Sequence, residues 1–115
     1  MTPPPIIHAI RILHKDLYYI SNKISKPDKI GIHANVLTQS IKILKLAVET
    51  AFKPRELKRP ILEILRVEIE ILKHLIRTEN ELRIIDAKTY LRLAEQLVEI
   101  SKMTNGWIGY TQKGA

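Results

Sequence analysis

Apolar residues recur along the chain at helical steps, in runs separated by proline-bearing or polar breaks. In the first run Ile6, Ile10, Leu13, Leu17, Ile20 and Ile24 alternate steps of four and three, the seam of a helix packed at a shallow angle on its neighbours. The spacing predicts a core-facing helix over 4–25, entered through an extended Pro3, Pro4 and Pro5, with Tyr18 and Tyr19 on either flank of the seam. Lys26-Pro27-Asp28-Lys29 interrupts the pattern, because proline cannot continue a helix and its predecessor avoids helical angles. A second helix is predicted over 31–53, with Leu37, Ile41, Leu44, Val48 and Ala51 inward and Lys42, Lys45, Lys53 and Glu49 on the polar side.

The segment from Lys53 to Pro60 breaks the chain again, and a third helix is predicted over 59–79. In it Ile61, Leu65, Leu72, Leu75 and Ile76 face one side, and Arg66, Lys73 and Arg77 the other. Glu68 projects into the apolar arc near Ile61 and Leu72, where a carboxylate needs a partner. Glu79 to Ile85 reads as the last connection, and Asp86 as the N-cap of a fourth helix over 86–111, stapled by Ile85 and Tyr90. Tyr90, Ala94, Leu97, Ser101, Thr104 and Ile108 trace its inner seam, Trp107 plugs the end, and the chain frays from Gln112 onward.

Helices joined by short connections predict an all-α single domain over 1–115, an antiparallel up-down-up-down four-helix bundle. The apolar arcs are wider than one bundle core needs. Ile43 and Leu46 in the second helix, and Ile69 and Ile71 in the third, are therefore assigned to an oligomer interface, with Ile64 and Val67 extending the same surplus.

The chain has no cysteine, hence no disulfide framework, thiolate metal site or thiol nucleophile. The first ten residues lack a cationic region followed by an apolar run, and no segment approaches the length of a membrane span. A soluble, unprocessed, cytoplasmic protein without membrane contact is expected. His8, His14, His33 and His74 fall in no metal-binding or catalytic spacing, and there is no phosphate loop or nucleophile elbow. The expectation is no enzyme, no metal, no cofactor and no small-molecule substrate.

Charge supplies the positive signal. The net charge is +7, a level at which a polyanionic partner is expected, although excess cations also simply keep an apolar chain in solution. Arg66, Lys73 and Arg77 rise from one narrow strip able to follow a phosphate backbone, bordered by Glu63 and Glu70 at ordinary pairing distances. Lys42, Lys53 and Arg55 complete the candidate nucleic-acid surface, which a symmetric ring would multiply.

Gly31 through Ala47, Leu72 to Arg77, and the fourth helix ending at Leu97 to Ile108 carry a resemblance. In order, length and basicity the chain resembles the accessory variability determinant proteins of diversity-generating retroelements, themselves similar to four-helix-bundle proteins encoded by intervening sequences in bacterial 23S ribosomal RNA genes. The resemblance implies a ring-shaped homopentamer that binds RNA and a reverse transcriptase, with the family's third-helix cations at Lys73 and Arg77. Where the family often has a cation early in the second helix, this chain has Gln39. The alternative is a scaffold protein of the intervening-sequence type without a retroelement role.

Overall fold

The computed structural model describes residues 5–112. The expected lead-in through Pro3 and Pro4 and the expected fraying over 113–115 lie outside them, whereas Gln112, also expected to fray, is the last residue of the final helix. The described residues are helical with no strand: α1 Pro5–Ile20, followed by a 3-10 turn Ser21–Lys23, then α2 Lys26–Ile30, α3 Ile32–Phe52, α4 Arg55–Glu81 and α5 Ala87–Gln112. The four long helices pack in contact, α1 against α3 and α5, and α4 against the same two, giving a bundle-like body 49 × 22 × 20 Å. No helix is long and apolar enough to cross a membrane.

The seam read for α1 is the seam the core uses: Ile6, Ile10, Leu13, Leu17, Ile20 and Ile24 are all buried. Each such side chain contributes about 1.5–3 kcal/mol on leaving water. In α5, Leu97, Thr104 and Ile108 are buried as expected, joined by Leu93 and Ile100, while Tyr90, Ala94 and Ser101 sit half-buried at the edge. Asp86 caps α5, its Oδ1 accepting from the Thr89 amide at 2.7 Å. Hydrogen bonding by the Thr89 side chain, and next by this amide, holds its carboxyl below the usual carboxylate range.

Two junctions differ from the pattern-based expectation. Lys26 to Ile30 forms a short helix, because Pro27 in its first turn needs no amide partner. It ends at Gly31, where a Cβ would lie 2.9 Å from the Pro27 carbonyl oxygen. α4 is longer at both ends than predicted. It starts just after Pro54 and passes through Pro60, which removes one near-terminal hydrogen bond.

At its other end α4 runs through Glu79 to Glu81 and closes with paired bonds, Ile84 amide to Glu79 carbonyl (2.8 Å) and Arg83 amide to Asn80 carbonyl (3.0 Å). This closure places Arg83 at φ 60, a left-handed position usually held by glycine. Arg83→Gly is expected to raise stability by about 0.5–1 kcal/mol, the relief of strain exceeding the added chain entropy. A denaturation midpoint at or below that of the native protein would contradict it.

The inward face of α3 is turned from the predicted stripe by about one residue. His33, Val36, Ser40, Ile43, Ala47 and Thr50 are buried, whereas Ile41 and Val48 are exposed and Leu37 and Leu44 half-buried. Ile43, assigned to an oligomer interface from the sequence, is therefore a core residue of the chain itself with no exposed surface to offer a partner. Ile69 is likewise inside the core with Leu62, Leu65, Leu72 and Ile76. Leu46 packs against that core, and only Ile71 of the assigned interface set is exposed.

The surplus apolar surface is real, and on α4 it includes Ile64, Val67 and Ile71 as expected, joined by Leu57. Leu57, Ile64, Val67 and Ile71 are 51%, 51%, 58% and 41% exposed, and with Pro60 between Leu57 and Ile64 they step along α4 by three and four. α4 thus carries two heptad seams, one buried and one bare.

Candidate nucleic-acid interface

α4 arranges its charges as sequence spacing dictates, and most of its cations meet a carboxylate one turn away. Arg66 Nη2 donates to Glu63 at 2.6 Å, Lys73 Nζ to Glu70 at 2.9 Å, and Arg77 lies 3.9 Å from Glu81. Lys42, on α3, reaches across to Glu68 at 3.1 Å. Lys73 is also set lower than its neighbours, lining a small groove with Ile76, Tyr90, Ala94, Leu97 and Val98. The strip Arg66, Lys73 and Arg77 therefore exists as a line of side chains, but its field is locally cancelled. Exposed pairs of this kind are worth about 0–1 kcal/mol, so a phosphate can compete for them.

Glu68 is not stranded in the apolar arc. It sits on the flank of α4 facing α3, where Gln39 Nε2 donates to its Oε2 (2.7 Å) and to its carbonyl (2.9 Å). The Gln39 bond, against a smaller opposing effect of burial and with help from Lys42, holds its carboxyl below the usual range. The partners that its position calls for are supplied within the chain.

The buried carboxylate is Glu79, which pattern reading places in a connection. Its Oε2 lies 2.8 Å from His33 Nδ1, and His33 Nε2 lies 2.9 Å from the Leu17 carbonyl oxygen, with both side chains fully buried. Leu17 belongs to the last turn of α1, and its carbonyl also accepts from the Ser21 hydroxyl at 3.4 Å. Both ring nitrogens therefore face oxygen acceptors, and only the imidazolium donates to both. Burial by itself pushes the His33 pKa down, but the Glu79 hydrogen bond, the Leu17 carbonyl and the Glu79 charge outweigh it and the net shift is upward. The signal available in the sequence was a histidine and a glutamate separated by 46 residues, too far apart to be joined without the fold.

The remaining predicted cations behave differently. Lys53 is exposed, and neither it nor Arg55 pairs with a carboxylate among the described residues. Arg55 Nη2 instead donates to the Tyr110 carbonyl at 2.7 Å, and its guanidinium lies 4.3 Å from the centre of the Tyr110 ring. Lys58 Nζ donates to the Thr50 carbonyl at 2.8 Å and lies 5.8 Å from the Trp107 ring centre. Half-buried Trp107 closes this end beside Pro5, Ile6 and Met103.

Among the described residues no group of three metal-ligating side chains could hold an ion. Comparison of the chain with protein-family models, curated proteins and solved structures finds no match.

Proposed function

We propose that the protein is a non-enzymatic, RNA-binding accessory subunit of a diversity-generating retroelement. In this reading it acts in the cytoplasm as a ring-shaped homopentamer of antiparallel four-helix bundles and brings RNA to a reverse transcriptase. The observation that carries the nucleic-acid part is where the +7 charge resides. With the ion-paired cations set aside, the surplus falls on exposed cations that meet no carboxylate among the described residues, such as Arg11 and Lys15 on α1 and Lys45 on α3. These neighbouring helices present the excess outward, where phosphates can displace condensed counterions.

Two further observations support the assembly. His14 meets Ser40 while Leu17 meets His33, and Gln39 meets Glu68 while Thr50 meets Lys58, pairings that run in opposite directions along adjoining helices. The bare seam on α4 offers the kind of surface a second helix covers. The intrachain pairing of Lys42, Arg66, Lys73 and Arg77 favours the second reading, a scaffold bundle of the ribosomal intervening-sequence type.

Binding to structured RNA across a salt series separates the two. For the accessory subunit, affinity falls linearly on logarithmic axes, and Arg11→Ala or Lys45→Ala lowers the slope by about one each. Arg66→Ala lowers it less, since Glu63 already neutralises that charge. Absence of salt-sensitive binding by the native protein would overturn the reading in favour of the scaffold.

A further inference from the structure

Where α3 stops, α4 starts and α5 finishes, cations and aromatic rings are interleaved on one end of the molecule. Lys58 ties them together: its ammonium caps the Thr50 and Ala51 carbonyls of the last turn of α3 and lies over Trp107 of α5. Arg55, the first residue of α4, crosses to Tyr110 in the last turn of α5. Both cations thus satisfy carbonyls at helix C-termini, which suits the helix dipole. A carbonyl, unlike a carboxylate, leaves the cation's charge uncancelled. Lys53 adds a third uncancelled charge beside them.

On this surface Phe52 is 85% exposed and Tyr110 54%. Phe52 is the last residue of α3 and the only phenylalanine of the chain, and the fold buries almost none of it. Tyr110 keeps about half of its surface open to solvent with Arg55 over its ring. Exposed rings beside uncancelled cations are the two requirements of a single-strand platform, on which bases stack and phosphates are neutralised. A duplex keeps its bases stacked on each other and offers such rings nothing, and an acidic protein surface would satisfy the cations without explaining two bare aromatics.

Resting on the nucleic-acid reading above, we propose that this end binds unpaired bases of single-stranded RNA or DNA. Phe52 and Tyr110 stack on bases, and Lys53, Arg55 and Lys58 face the phosphates. Specificity for unpaired strands would then come from the end of the bundle, and general affinity from the basic sides.

The test measures binding of the full chain to a uridine 20-mer and to a blunt RNA hairpin of equal phosphate number. Native protein is compared with Phe52→Ala, Tyr110→Ala and Tyr110→Phe, with helicity and sedimentation followed in parallel. Both side chains are exposed, so the variants should keep fold and assembly. Each alanine variant is expected to bind the single strand about fivefold to a hundredfold more weakly, with hairpin affinity within about twofold of native, the salt slope unchanged, and Tyr110→Phe like native. Alanine variants that bind the single strand as native does, or that lose both RNAs equally, would overturn this assignment alone. Native protein that binds neither RNA would overturn the nucleic-acid reading with it.

Discussion

Glu79→Ala is expected to destabilise the protein by about 3–5 kcal/mol, a large part of the 5–15 kcal/mol that holds a domain together. The substitution leaves His33 fully buried with a ring nitrogen that has lost its acceptor, and it strips the imidazolium of its counter-charge. His33→Ala does comparable damage from the other side, leaving a bare buried carboxylate whose Oε1 already lacks a partner. The two losses should not add, because the second removal deletes a group that the first had already stranded. Urea denaturation of both single variants and the double variant reads this directly, and additive losses would mean that the two side chains are not coupled.

The same pair sets a pH dependence whose sign follows from the direction of the His33 shift. Folding raises its pKa above the ordinary 6.5, so the folded protein holds a proton that the unfolded chain releases. The stabilisation is fully present below the ordinary value and is lost as the pH climbs through the raised one. Stability should therefore decline as the pH rises above the ordinary 6.5 and through the raised value. Glu79→Gln should flatten this decline, since an amide satisfies the neutral ring. A native profile that is level from pH 6 to pH 9 would contradict the assignment of the proton.

The second large effect separates core from surface. Ile43→Asp is expected to unfold the protein, for it places a carboxylate at a fully buried position at a cost beyond the burial of the isoleucine itself. Val67→Asp, at the middle of the bare seam on α4, should leave helicity and denaturation midpoint within about 0.5 kcal/mol of native and reduce the sedimenting mass to that of one chain. Periodicity read from the sequence assigned Ile43 to the interface; the structure buries Ile43 and leaves Leu57, Ile64, Val67 and Ile71 exposed, so the proposed assembly would form through these four. A native protein that sediments as a monomer, or a Val67→Asp variant that remains assembled, would remove the oligomer from the account.

Of the candidate nucleic-acid surface, the sequence showed the line of cations on α4 and the acids bordering it, since positions three, four and seven residues apart share a helix face whatever the tertiary fold. It did not show the convergence of Phe52, Lys53, Arg55, Lys58 and Tyr110, because these residues come from three helix ends that only packing brings together.

The same division runs through the fold. α1 was legible down to each buried residue because Ile6, Ile10, Leu13, Leu17 and Ile20 keep an unbroken alternation of four and three that Ile12, Tyr18 and Tyr19 do not join, and the start of α5 because Asp86 caps it with a bond to its own third residue. Such signals are local, so a window of sequence contains all of their physics. α3 was not legible in this way. It has apolar residues on several bearings, with Ile41, Ile43, Leu44, Leu46 and Val48 spread around the helix, and nothing within the segment says which of them turns inward. Its neighbours decide: His33 must reach Glu79 and Leu17, and Ser40 must reach His14, and these bonds rotate Ile43 into the core and leave Ile41 and Val48 outside. A helix with one apolar stripe carries its orientation in its sequence, whereas a helix with a wider arc receives it from the partners that its buried polar groups find.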